Sequence, residues 1–446
     1  MSARRPGAVI VCTLLVPLAL VGCGRKSGPR TGAAGAQPLT TDQAGAESGA
    51  KTGSTTDRTA TATEAPATPP PAWSDELAAA AEGSNRFAIA LHRRLAADGG
   101  NVFFSPFSIH SALAMTAVGA RGETFEQLRE ALWLPEREKL PAAGDLARFY
   151  SAADRPYELA VAAALWGQAG VNWEPEFVST LDTRFGAGFR EADFAGDADG
   201  ERGRINAWVG ERTRGRIGTL LPPGAVNELT RLVVASAIAF KGNWAAQFSP
   251  AATADAPFRR ADGSEAPVPL MHRKGRERHH QGDSFQLLAL PYVGREVEMV
   301  VLLPRDPSGL AALETRLEAE ALAGWIAAAE PVEVAIWLPR FRLDDGFDAV
   351  RVLEGMGVTD LFIPGTADLS GMTGTEPLSV SRVIHKAFVA VDEEGTEAAA
   401  ATAVISNAPS PPPPKPVEFR ADRPFLFFIR DALRGTILFV GRYAGP

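Results

Sequence analysis

Cysteine is nearly absent. The 446 residues hold two, Cys12 and Cys23, both close to the N-terminus. A disulfide framework, a thiolate metal site and a catalytic thiol are therefore excluded from the rest of the chain. Positive charge is not in excess: 45 Lys and Arg against 53 Asp and Glu give a formal net charge of −8. That balance argues against a general nucleic-acid binder. No GxSxG elbow, HExxH, P-loop or GxGxxG string occurs. Of the histidines, His92, His110, His272, His279, His280 and His385, none has helical metal-ligand spacing with a carboxylate partner. No metal and no cofactor is expected, and nothing marks the chain as an enzyme, although triads are set by geometry rather than by spacing.

What is present fits one large globular body or two medium ones: 46% hydrophobic and 22% charged residues. The first 22 residues read as a secretory signal. Arg4 and Arg5 precede an apolar run over 8–21 that Pro17 interrupts. The run is shorter than the roughly 20 residues a membrane-spanning helix needs. Leu20-Val21-Gly22-Cys23 resembles the lipobox of bacterial lipoproteins. That likeness implies cleavage before Cys23, acylation of its thiol, and no inner-membrane retention from Gly24. The alternatives are an ordinary signal, or an anchor with a chance cysteine. The lipoprotein reading places the protein outside the cytoplasm, anchored by lipid at the outer membrane or cell surface. Residues 23–72 are small and polar with almost no large apolar side chain, a composition that cannot offset chain entropy. They read as a disordered tether with a reach of roughly 40 Å.

From Trp73 to Pro446 the pattern is that of one folded domain. Helices are expected over 77–97, 109–119, 123–132, 206–213 and 347–356. Strands are expected over 232–240, 287–291, 297–303, 332–338, 383–391, 425–429 and 436–440, while 159–168 could be either. Strands mixed with helices and lacking a regular βαβ rhythm indicate an α+β fold with mainly antiparallel sheets. Residues 272–283 carry Arg273, Lys274, Arg276 and Arg278. They are read as a solvated loop, with a polyanion site as the alternative.

Residues 393–424 join two materials. The first half, EEGTEAAAATAVISN, is a run of small residues that could enter the middle of a sheet without clash. The second half holds prolines at 409, 411–414 and 416. It cannot join a central ladder, because proline has no N–H to donate, and should be extended polyproline II.

Here the sequence resembles a family. NVFFSPFSI (101–109), GARGET (119–124), NAWV (206–209) with Thr213 and Gly215-Arg216-Ile217, and FKGNW (240–244) are similar in kind and order to motifs of the serpins. So are DLSGM (368–372), His385-Lys386, EEGTEAAAA (393–401) and FRADRPFLFF (419–428). The resemblance spans about 77–444. It implies three mainly antiparallel β-sheets surrounded by helices, with an exposed reactive-centre loop at about 393–418. It also implies suicide inhibition of a serine or cysteine protease through a covalent acyl complex, with the cleaved loop inserting as a new central strand. By position, Glu393, Gly395, Thr396 and Ala398, Ala399, Ala400 and Ala401 match the hinge. Arg340 and Trp244 match the breach at the top of the sheet, where Arg340 would pair with Glu393. Ser105, Ser108, Ser236 and His385 match the shutter. Two positions depart from the family: Ser236 replaces the usual asparagine and Ala239 the usual aromatic. The shorter side chain at 236 implies a different partner for His385.

The reactive bond is not fixed by spacing. Counting from Gly395 gives Pro409-Ser410, whereas counting back from Phe419 falls inside the prolines. Because whatever precedes the cut must become a central strand, the bond is expected within 405–410. Asn407-Ala408 is preferred over Ile405-Ser406, Ala408-Pro409 and Pro409-Ser410. A non-inhibitory serpin, acting as a binding or chaperone module, is the alternative function, and an exported hydrolase the third. The protein is expected to be a monomer.

Overall fold

The computed structural model describes residues 72–152, 155–186, 188–375, 377–395 and 415–446. Along the chain come α1 (Asp75–Leu95), β1 (Val102–Phe104), α2 (Pro106–Gly119), α3 (Gly122–Leu132), α4 (Pro141–Tyr150) and β2 (Glu158–Gln168). Next are α5 (Pro175–Thr180), β3 (Phe189–Ala192), α6 (Phe194–Arg212), β4 (Leu232–Lys241), β5 (Ala254–Arg259) and β6 (Glu265–Gln281). After them follow β7 (Phe285–Pro291), β8 (Val297–Pro304), α7 (Leu310–Thr315), α8 (Ala319–Ala327), β9 (Glu330–Pro339) and β10 (Phe341–Asp348). The described chain closes with α9 (Val350–Glu354), α10 (Ser370–Thr373), β11 (Arg382–Val391), β12 (Val417–Arg420), β13 (Phe425–Asp431) and β14 (Ile437–Tyr443).

A five-stranded sheet has the order β10-β11-β4-β2-β3. The remaining strands follow the path β1-β14-β13-β8-β7-β6-β9-β12, with β5 on β6. β6 carries that path across, pairing β5 and β9 along most of its length and β7 through Arg278–Gln281. Two of the three expected sheets are thus continuous through one long strand. Most ladders are antiparallel. The exceptions are β2 with β3, β9 with β12, and β4 with β11 at the centre of the five-stranded sheet.

Local sequence explains most of these elements. Ser105 and Pro106 start α2, the serine as N-cap and the proline at N1, where its missing N–H costs nothing. That helix is buried all round, which is why no amphipathic stripe marks it. The 159–168 run resolves as strand β2, buried through most of its length against β4. Residues 272–283 are not a solvated loop. Residues 272–281 form the second half of β6, where Arg273 pairs with Glu277 at 2.7 Å and Arg278 reaches Glu298 at 3.6 Å. Charged residues hide the strand's period-2 pattern: Lys274 and Arg276 are exposed, and the partly buried Arg273 and Arg278 are paired. Residues 341–348 are strand β10, and only 350–354 of the expected 347–356 helix is helical.

Candidate functional site: hinge, breach and shutter

The shutter begins at the α2 N-cap. Ser105 Oγ accepts from Ser108 N–H at 3.1 Å and donates to the Leu438 carbonyl at 2.7 Å. The Ser105 backbone N–H donates to His385 Nε2 at 3.1 Å. A backbone amide can only donate, so Nε2 is the bare nitrogen and Nδ1 carries the proton. Nδ1–H then donates to Ser236 Oγ at 3.0 Å, and Ser236 Oγ lies 2.8 Å from Ser108 Oγ. All four residues are buried. Burial pushes the His385 pKa down to about 3, so the ring is neutral in the fold. Ser236 and His385 face each other across the β4–β11 pair. One chain of hydrogen bonds therefore ties both central strands to α2. Despite its shorter side chain, Ser236 itself partners His385.

The breach lies where β4 ends. Trp244 is buried and stacks on Tyr292, with ring centres 4.5 Å apart and planes 12° from parallel. Its indole N–H donates to the Asp392 carbonyl at 3.0 Å and its backbone N–H to the Glu394 carbonyl at 2.9 Å. Phe248 N–H donates to the Glu393 carbonyl at 2.8 Å. The buried Glu393 carboxylate accepts from Thr253 Oγ1 at 2.7 Å and lies 3.6 Å from the half-exposed Arg340 guanidinium.

The hinge is a turn that Asp392 closes by accepting from the N–H groups of Glu394, at 3.0 Å, and Gly395, at 3.2 Å. Gly395 then forms an antiparallel bridge with Asn243, just beyond β4. Its φ is +132°, and a Cβ there would lie 2.4 Å from the Gly242 carbonyl oxygen and 2.5 Å from Asn243 Cα. Only glycine satisfies both the dihedral and the close approach. The last ladder pair of β4 with β11 is Phe388–Ala239, so the chain that leaves β11 turns back beside the top of β4.

Glu393, Gly395, Arg340 and Trp244 are thus brought together at one end of the five-stranded sheet, and the shutter residues lie further down the same pair of strands. Thr396, Ala398 to Ala401, Asn407, Ala408, Pro409, Ser410 and Cys23 lie outside the described residues. Sequence reasoning missed Asp392, Thr253 and Tyr292. Asp392, three residues before Gly395, carries an Asx-turn signal; the other two depend on tertiary contacts alone. Among the described residues no group of three or more His, Cys, Asp or Glu could hold a metal ion.

At one end of the parallel central pair the chain leaving β11 turns back beside β4. The family model for Serpin (serine protease inhibitor) matches residues 82–446, and the chain belongs to that family. It is 40% identical to the leukocyte elastase inhibitor of Bos taurus over 382 residues, covering 83% of this chain and 100% of that one. To antithrombin-III of Mus musculus it is 36% identical over 378 residues, covering 82% and 81%. The fold is similar to that of uncleaved ovalbumin, with a TM-score of 0.74, 30% identity, and coverage of 82% of this chain and 100% of that one.

Proposed function

We propose that this chain is a suicide inhibitor of a serine or cysteine protease, acting outside the cytoplasm. The observation that carries the reading is the parallel β4–β11 pair with Gly395 bridged antiparallel to Asn243. A strand that continued from this hinge would run antiparallel to both neighbours. It would replace one parallel ladder by two antiparallel ones, which are slightly more stable per residue. The protease attacks the reactive loop and forms an acyl-enzyme. For the preferred bond Asn407-Ala408, Thr396 to Asn407, about 12 residues, would then enter the sheet and carry the acyl-enzyme with them. At ~1 kcal/mol of net ladder bonding per residue, insertion releases on the order of 10 kcal/mol. That is comparable with the ~5–15 kcal/mol stability of a protease domain, enough to distort its active site before deacylation. The names of the mammalian relatives, leukocyte elastase inhibitor and antithrombin, support this class of partner. No catalytic activity, cofactor or nucleic acid belongs to this reading, and the acting species is the monomer.

The N-terminal segment extends the proposal. Cleavage before Cys23 and acylation of its thiol would make the protein a bacterial lipoprotein held at a membrane, at ~0.8 kcal/mol per buried CH₂. Replacing Cys23 by Ser should move it from the membrane fraction to the soluble fraction.

Incubation with a panel of serine and cysteine proteases, followed by a denaturing gel, tests the mechanism. A detergent-stable band at the summed mass less the released C-terminal fragment is expected, and that fragment should begin within 406–410. Cleavage without any such band, and with an unchanged melting temperature, would instead mark a binding or chaperone module.

A further inference from the structure

On the face of the five-stranded sheet that α6 covers, four side chains from three elements form a cluster that the inhibitory reading does not use. Trp166 comes from β2, Arg190 from β3, and Arg204 and Trp208 from α6. The Arg190 guanidinium carbon lies 5.6 Å from the Trp166 ring centre and 5.2 Å from that of Trp208. The Arg204 guanidinium lies 4.9 Å from the Trp166 ring. The two indoles meet edge to face at 5.5 Å.

What distinguishes the cluster is its unmet hydrogen-bonding demand. Trp166 Nε1, Trp208 Nε1 and Arg190 Nε are all buried without an acceptor, and Trp166 is 1% exposed. All three are donors, and a buried donor left unmet is destabilising. The charge is equally unbalanced. Among the described residues no carboxylate forms an ion pair with Arg190, whereas Arg204 is partly engaged by Glu201 and the Glu191 carbonyl. Burial, then Arg212, then Arg204 push the Arg190 pKa down, and these outweigh Asp182 and Glu211. Cations crowded around unsatisfied donors call for an acceptor that carries negative charge.

We propose that Arg190, Arg204, Trp166 and Trp208 form a binding site for a tetrahedral oxyanion, which would tie α6 to β2 and β3. Two guanidiniums and two indole N–H groups, presented from three elements, match an ion with three or four acceptor oxygens better than a planar carboxylate with two. A free inorganic phosphate and the phosphate of a small monoester share this chemistry.

The test is thermal unfolding of the intact protein at constant ionic strength, titrated in separate arms with inorganic phosphate and with glycerol phosphate against chloride. A saturable rise in melting temperature of about 2 °C or more is expected in at least one arm. Tryptophan fluorescence should change with the same midpoint. Response to both ligands would assign the site to the phosphate group itself, and response to the ester alone to a monoester ligand. Arg190→Gln should remove the saturable component. Trp208→Phe keeps an aromatic ring, deletes one donor, and should weaken binding several-fold even if the arginine variant fails to fold. Salting-out ions stabilise folded proteins generally, so an unsaturated rise of equal size in wild type and Trp208→Phe would overturn the proposal. So would no response in either arm, which would leave the donors to water or to the opposing ring face.

Discussion

Gly395 shows how narrowly one position can be specified. Its left-handed backbone and the backbone atoms 2.4–2.5 Å from where a Cβ would sit leave no room for a side chain. Gly395→Ala is expected to release the bridge to Asn243 and to cost about 1–3 kcal/mol, read as a lower urea midpoint and a shifted Trp244 fluorescence. Ser236 is the corresponding case in the shutter. Ser236→Ala leaves the His385 Nδ1–H buried without an acceptor, and a loss of about 1–3 kcal/mol is expected. Ser236→Asn restores an acceptor and should recover part of that loss. The glycine was legible in the sequence from its place in the hinge motif. The tautomer of His385 was not, because it is fixed by the Ser105 amide 280 residues away.

Among the elements, the central strands carry the proposed function. β4 and β11 were both legible as apolar runs, but nothing in either run says that they pair, or that they pair in parallel. That follows from the sheet order, which places β11 between β10 and β4. Thr396 stands first after the hinge. If the residues after Gly395 enter the sheet only after cleavage, Thr396→Arg should leave the melting temperature of the intact protein close to that of wild type. It should also turn the protein from inhibitor into substrate, so that cleaved product replaces the covalent band on the gel. α6 was only half legible, over 206–213. Its first half carries Gly196, Gly200 and Gly203, which depress helix propensity, and Asp197 has a non-helical backbone. What holds that segment is burial of Phe194, Ile205 and Val209 on the sheet.

For the molecule as a whole, acid stability is set by buried histidines. His385, with its pKa pushed down to about 3, and His110, pushed down to about 4, are both neutral inside the fold. The ordinary histidine pKa is 6.5. Below it the unfolded chain takes up protons that the native state does not. Their stabilising contribution is therefore whole above about pH 6.5 and falls as the pH drops toward about 4, by about 1.4 kcal/mol per unit for each ring. Urea midpoints measured from pH 7.5 down to 5.5 should fall accordingly, and His110→Gln should show a shallower slope than wild type. Loop cleavage is the complementary test at this scale. If the cut loop inserts, the melting temperature of the cleaved protein should exceed that of the intact one by well over 10 °C, since on the order of 10 kcal/mol of ladder bonding is added.

The sequence by itself determined the α+β class, most strands and helices, and the family through ordered motifs from Asn101 to Phe428. It could do so because periodicity, caps and turn residues are local. The small residues after Gly395, read as a segment able to enter a sheet, lie outside the described residues. Only the tertiary structure decided which strands lie side by side, that residues 272–281 are strand rather than loop, and that Ser236 serves as the partner of His385. Those outcomes depend on which distant groups meet in the interior. There an unpaired charge or donor costs more than any local preference supplies, so the fold follows the pairing.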